Sequence, residues 1–167
     1  MAISKITTNS VGAGTITQPL MGTNVAGNGP AFSAYQSTLQ SVSNNTYTKV
    51  SFQTEEFDTN SNYDTANYRF TPTVAGYYQV NGAVTIAAVG TYFCFCRIYK
   101  NGVSFKAGGI STANTSAYPT AIASSLIYLN GSTDYIELYI FQFSGAAQNT
   151  QELAASTYFQ AFLARGA

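Results

Sequence analysis

Between Gly76 and Ala88 apolar and polar residues take turns. Tyr78, Val80, Val84, Ile86 and Ala88 fall on one side, and Gln79, Asn81 and Thr85 on the other. A two-residue period belongs to a strand with one buried face. The apolar run 82–96 is too short to cross a bilayer and carries Thr85 and Thr91, with Arg97 at its end. It reads as two strands turning around Gly90. The sequence YKNG at 99–102 predicts a tight hairpin, because Asn-Gly accepts the positive φ of a two-residue turn. Asn130-Gly131 predicts a second such turn, and Gly108, Gly109 and Gly145 mark further breaks. No stretch of ten or more residues keeps helical spacing, and no internal repeat is present. Short strands at intervals of about 8–12 residues predict an all-β sandwich or barrel.

Two segments are apolar on both faces. In 134–143, Tyr135, Tyr139, Phe141 and Phe143 share one face, and Ile136, Leu138 and Ile140 the other. In 156–163, Tyr158 and Phe162 oppose Phe159 and Leu163. A sandwich strand needs one apolar face only. The second face reads either as tyrosines half-exposed with their hydroxyls in water, or as a contact between subunits along a symmetry axis. On the second reading the interface candidates are Tyr135, Tyr139, Phe141, Phe143, Tyr158 and Phe162.

Residues 1–29 differ in character from the rest of the chain. Glycine, threonine and asparagine dominate, with single apolar residues between them. Such a stretch cannot close a core of its own. It is expected to be an extended N-terminal arm preceding a domain of residues 30–167. Its apolar residues Ile3, Ile6, Val11, Ile16 and Leu20 are the ones expected to anchor it to a partner.

Composition narrows the function. Of 167 residues only 8% are charged, with 7 basic and 7 acidic side chains and no net charge. Clustered cations that would neutralise phosphates are missing, which argues against nucleic acid; Arg97, Lys100 and Lys106 are too few for a groove. A chain that is 46% hydrophobic and so poor in charge suits burial against copies of itself. Met1-Ala-Ile-Ser-Lys-Ile has one lysine and no apolar run behind it, so no secretory leader and no membrane insertion are expected. On that basis the sequons at Asn44, Asn114 and Asn130 are expected to stay unmodified.

Little catalytic chemistry is on offer. With no histidine, neither a Ser-His-Asp nor a Cys-His arrangement can form. Cys94 and Cys96 are two apart, so in a strand both face one way; they read as buried thiols acting as small hydrophobes rather than as a zinc site. The acids Glu55, Glu56, Asp58 and Asp64 cluster, which leaves a polysaccharide depolymerase as the enzymatic alternative to a chain expected to have no activity. Asp58, Asn60, Asn62 and Asp64 are spaced like the start of a calcium loop. Tyr63 replaces the glycine such a loop requires, and Arg69 stands where its bidentate glutamate belongs. An Asx-rich turn bonding its own backbone is the simpler reading, and no cofactor other than calcium is offered.

A set of motifs in order adds a family resemblance. It runs from Phe32 through KVSF at 49–52, EFDTNSNYD at 56–64, YRFTPTVAGYYQV at 68–80 and YKNG at 99–102 to LNGSTDYIEL at 129–138 and STYFQAFL at 156–163. The set resembles the globular head of the complement C1q and tumour-necrosis-factor-like family, with Ala161 where that family usually has glycine. The resemblance implies a ten-stranded jelly roll, a tight homotrimer and a recognition head without catalytic residues. Some heads of this kind bind calcium. No Gly-X-Y stalk precedes it. The opening MAISKITTNSV resembles the start of tailed-bacteriophage structural proteins. Together these predict a virion protein assembled in the host cytoplasm. It would be a head spike or decoration knob fixed by residues 1–29 to the major capsid protein or another virion protein, with a secondary role in attachment to the host. The alternative is the receptor-binding head of a tail fibre or tail tip recognising a host surface glycan, with the loop 111–120 among its contacts.

Overall fold

The computed structural model describes residues 21–167. Among these residues every regular element is a strand. There are fourteen, eight of them five residues or longer: β1 (Ala31–Tyr35), β4 (Thr54–Asp58), β7 (Ala75–Thr85), β8 (Phe93–Lys100), β9 (Val103–Ala107), β11 (Thr120–Asn130), β12 (Ile136–Phe143) and β14 (Tyr158–Gly166). The others are two-residue pieces: β2 (Ser41–Val42), β3 (Thr48–Lys49), β5 (Tyr63–Asp64), β6 (Arg69–Phe70), β10 (Ser111–Thr112) and β13 (Gln148–Asn149). A five-stranded sheet runs β11-β7-β14-β1-β4, all antiparallel. A seven-stranded sheet is built on the β8–β12 pair. The far edge of β8 is shared by β9 and β10, and that of β12 by β3 and β6, with β5 on β6. The layers face each other across one core, the arrangement of a jelly-roll sandwich.

The alternation read from residues 76–88 holds inside β7. Tyr78, Val80 and Val84 are fully buried while Gln79 and Asn81 stand on the outer side. Thr85 departs from the pattern. It is buried because the chain near β14 closes over it, with Thr85 Oγ1 donating to Ser156 O at 3.1 Å. The core is largely aromatic. Phe32 stacks on Tyr63 at 4.8 Å and on Phe70 at 4.5 Å, and meets Phe159 edge-on at 5.3 Å. Buried hydroxyls find carbonyls: Tyr63 donates to Phe52 O at 3.1 Å and Tyr78 to Val74 O at 2.7 Å. Burial raises the pKa of both phenols. The layers are in close contact at Gly82, where an added Cβ would lie 2.5 Å from the Leu138 side chain. Only a residue without Cβ lets β7 and β12 pack at that spacing.

The turn at 99–102 is the predicted hairpin: Asn101 and Gly102 both have positive φ, 53° and 75°, and form the two-residue loop between β8 and β9. Asn130-Gly131 does something else. Of these two residues only Gly131 has positive φ, 72°, and the strands on either side belong to different sheets. Asn130 Oδ1 instead accepts the N–H groups of Ser132, Thr133 and Asp134 and carries the chain across the sandwich edge.

The five anchoring-arm residues Ile3, Ile6, Val11, Ile16 and Leu20 lie outside the described residues. Residues 21–29 form successive turns, with Val25 N donating to Gly22 O and Asn28 N to Val25 O. These turns rest against the end of β14, where Gly29 meets Leu163 and Gly166 meets Asn24.

Amide side chains support the segments that leave the sheets. Gln40 bonds Lys49 O and Ser51 N, Gln36 bonds Ser51 O and Thr150 Oγ1, and Gln142 bonds Val42 O and Ala146 O. Gln36, Gln142 and Thr150 are fully buried. Their side chains replace the ladder bonds that strands would have supplied.

Candidate functional site

Each sheet turns one face to the core and one outward, and the two outer faces differ. On the five-stranded sheet, register places Leu126, Gln79, Phe162 and Ala31 in one row and Ser124, Asn81, Gln160, Ser33 and Phe57 in the next. Tyr77 and Tyr128 pair at one end, 5.5 Å apart, and Ile122 lies towards the other. Leu126 is 54% exposed, Ile122 56% and Phe162 50%, high values for large side chains in the body of a sheet. The rows carry no charge; Arg165 lies at one margin and Glu55 and Glu56 along the β4 edge.

The polar residues of this face bond one another. Gln79 Nε2 donates to Ser124 Oγ at 3.0 Å and Ser124 Oγ to Asn81 Oδ1 at 2.7 Å. Groups paired in this way lose little when water leaves. Hollows open beside Tyr77 and Leu126 and beside Phe162. One, of about 490 Å³, is lined by Tyr77, Leu126 and the chain end 164–167. The other, of about 140 Å³, is lined by Phe57, Asn81 and Gln160.

The outer face of the seven-stranded sheet is an aromatic ladder. Register sets Phe93 against Phe143, Phe95 against Phe141 and Arg97 against Tyr139. Ring centroids follow one another from Phe143 to Phe93 (5.6 Å), Phe93 to Phe95 (6.4 Å) and Phe95 to Phe141 (4.9 Å); Tyr99 stacks on Tyr139 at 3.8 Å. Tyr47, just before β3, lies over the middle, 5.1 Å from Phe141 and 4.8 Å from the Arg97 guanidinium carbon. These rings shield each other, and of the ladder only Phe143 is strongly exposed. Burial pushes up the Tyr99 and Tyr139 phenols, and neighbouring Tyr47 and Glu137 respectively add to it. Glu137, on this face between Tyr135 and Tyr139, is neutralised by Lys49 at 3.0 Å.

The six interface candidates therefore divide. Tyr139, Phe141 and Phe143 stand on the outer face of the seven-stranded sheet, and Tyr158 and Phe162 on that of the five-stranded sheet. Tyr135 precedes β12, with the Arg69 guanidinium 4.9 Å over its ring. Reading alternation along 120–130 would also have found Ile122, Leu126 and Tyr128, since β11 buries Ala121, Ala123, Ile127 and Leu129 on its other side.

The remaining candidates are occupied by structural work. Asp58 accepts the N–H of Asn60 and, at 2.6 Å, of Tyr63; Asn62 Oδ1 accepts Thr73 N; Asp64 accepts Ala66 N, Asn67 N and Asn67 Nδ2. The Asn67 bonds hold the Asp64 carboxyl below its usual pKa. These oxygens serve a turn, and no cluster of three acidic or soft ligands occurs among the described residues. Glu56 accepts Ser33 Oγ at 2.7 Å. Cys94 and Cys96 are fully buried and unpaired; burial pushes the Cys94 thiol up to about 12 and Cys96 well above its ordinary value. Neither is poised as a thiolate. In the loop 111–120, Tyr118 is exposed and Asn114 caps the turn through Ser116 N and Ala117 N.

No protein-family model and no curated protein sequence matches the chain. Solved structures do. The globular domain of zebrafish complement 1qA is 18% identical, with a TM-score of 0.59 over 83% of this chain and 99% of that one. Murine APRIL is 14% identical, with a TM-score of 0.62 over 79% and 96%. The Eiger TNF of S. frugiperda is 8% identical, with a TM-score of 0.58 over 82% and 93%. At these identities the likeness establishes a C1q/TNF-like jelly-roll fold.

Proposed function

We propose that this protein is a non-catalytic, self-associating head, trimeric like the family whose fold it shares, and carried on a larger particle. The observation behind this reading is the outer face of the five-stranded sheet. Several large apolar side chains stand exposed there among uncharged polar residues, and those polar neighbours are already paired with one another. The same chain carries an exposed apolar edge at β9, with Val103 68% and Phe105 48% exposed. Different surfaces meeting head to tail close into a ring when the rotation allows. β9 of one copy then sits against the outer face of the five-stranded sheet of the next, over its hollows.

The particle is a tailed-bacteriophage virion in our reading. The opening residues MAISKITTNSV, which resemble the start of tailed-bacteriophage structural proteins, support it. A knob close to the capsid surface, anchored by residues 1–29, is favoured over a tail fibre because no shaft separates arm from head. Light scattering on the purified chain tests the first part: a mass of three chains supports it and a monomer at micromolar concentration overturns it. Quantitative mass spectrometry of purified particles tests the second. Hundreds of copies place the protein on the capsid, a small multiple of three on the tail, and none in the particle overturns the assignment.

A second reading, a receptor-binding head for a host glycan, is favoured by the aromatic ladder with Arg97 at its centre. Head-to-tail packing of β9 against the five-stranded sheet of the next copy leaves that ladder open.

A further inference from the structure

Arg97 and Arg69 are cations of the seven-stranded sheet whose Nε lies buried without an acceptor, and of the two Arg97 stands within the aromatic ladder. Lys49 is matched to Glu137 at 3.0 Å and Lys100 to Asp134 at 2.8 Å. Among the described residues no carboxylate lies within ion-pair reach of Arg97. One Nη1 proton goes to Ser104 Oγ at 3.2 Å, while Nε is closed off from water with no acceptor. A buried donor without a partner is costly, and a guanidinium offers parallel N–H groups that a carboxylate accepts two at a time.

The surroundings narrow the occupant. Tyr47 and Phe95 lie 4.8 and 5.5 Å from the guanidinium, and the Tyr47 and Tyr99 hydroxyls make no hydrogen bond among the described residues. Phe143 leaves an exposed ring at the ladder's end. Apolar ring surface, free hydroxyls and one cation suit a molecule that has C–H faces, hydroxyls and a single repeated acid. Nucleic acid is a poor fit, since one guanidinium in a chain of zero net charge cannot track a phosphate backbone. A peptide adding as a strand is a poor fit too, because β8 and β12 lie inside the sheet with both edges taken.

We propose that the aromatic outer face of the seven-stranded sheet binds a carboxylate-bearing sugar chain, with Arg97 receiving the carboxylate. This deepens the receptor-binding reading and does not require self-association. Tyr47 belongs to the chain leading into β3 and lies over Arg97 from outside the ladder.

The test is calorimetric titration of the full chain with oligogalacturonate and with oligosialic acid, against dextran of similar length. The two acids separate a uronic from a sialic source. The expected result is binding of at least one acid and not of dextran. Arg97→Gln should weaken it by about tenfold or more, and Arg97→Lys, which keeps the charge but not the planar fork, by less. Near-ultraviolet dichroism and light scattering on each variant separate lost binding from lost structure. Binding to neither acid, or binding that Arg97→Gln leaves unchanged in a folded variant, overturns the proposal. Acid binding by a chain that proves monomeric supports it while removing the self-association reading.

Discussion

The two outer faces spend similar side chains in opposite ways. On the seven-stranded sheet the aromatic rings pack on each other, and Phe93, Phe95, Tyr99, Tyr139 and Phe141 are half-buried within their own chain. On the five-stranded sheet Ile122, Leu126 and Phe162 stand apart, separated by Gln79, Asn81 and Ser124, and half or more of each is open. A face that covers itself adds to the stability of the monomer. A face that cannot do so keeps that free energy for another molecule. Apolar content alone does not distinguish an interface; how much of it the chain has already used does.

The largest expected effect comes from charging the open face. Leu126→Asp with Phe162→Asp should dissociate the oligomer, at about 2–4 kcal/mol for each central position, while melting of the isolated chain changes little. Light scattering and thermal melts on the same sample separate the two quantities. Should the double variant stay associated, the copies meet through another face.

The reciprocal change is Phe141→Ala. It removes a ring held by Phe95, Phe93 and Tyr47 and should lower monomer stability by about 2–3 kcal/mol in denaturant unfolding, with the oligomer mass unchanged. An oligomer that falls apart with its fold intact would show that the ladder, rather than the open face, lies between copies.

Between the faces lies the core, and Gly82→Ala probes it alone. The new methyl meets the fully buried Leu138, so a loss of about 1–3 kcal/mol is expected, again without change in mass. No loss would mean that the sheets separate more easily than the close approach at Gly82 implies.

How much of this was legible in the sequence depended on whether a signal was local. The strand alternation of β7, the Asn101-Gly102 turn and the shared inward face of Cys94 and Cys96 are fixed by dihedral preference and a two-residue period, so they could be read directly. Period also sorted Tyr139, Phe141 and Phe143 from Leu138 and Ile140. It could not say that Tyr158 and Phe162 face out from the other sheet, because alternation gives sidedness within a strand and not which layer the strand joins. Asn130-Gly131 misled for the same reason. Its turn chemistry matches a hairpin, and the sheet assignment of β11 decides otherwise. Arg97 over Tyr47 brings together residues fifty positions apart, and no local signal announces it.

The smallest effect concerns the end of the sandwich where the β8–β9 hairpin meets the chain entering β12. Asp134 accepts from Asn101 Nδ2, Lys100 Nζ and Asn130 N. Burial alone would raise its pKa; these donors outweigh burial and hold it below the usual carboxylate value. A depressed native pKa means stability that is present above the unfolded value of about 3.9 and is lost as pH falls through the native one. Asp134→Asn should therefore cost about 0.5–1 kcal/mol at neutral pH, a modest figure because solvent screens the pair. The two unfolding curves should converge as pH drops below the ordinary carboxylate range. A difference constant down to pH 2 would mean that Asp134 acts there as a hydrogen-bond acceptor of fixed shape rather than as a charge. If oligomer mass also stayed constant over that range, it would show that this end of the sandwich titrates without reaching the uncharged face through which copies are proposed to meet.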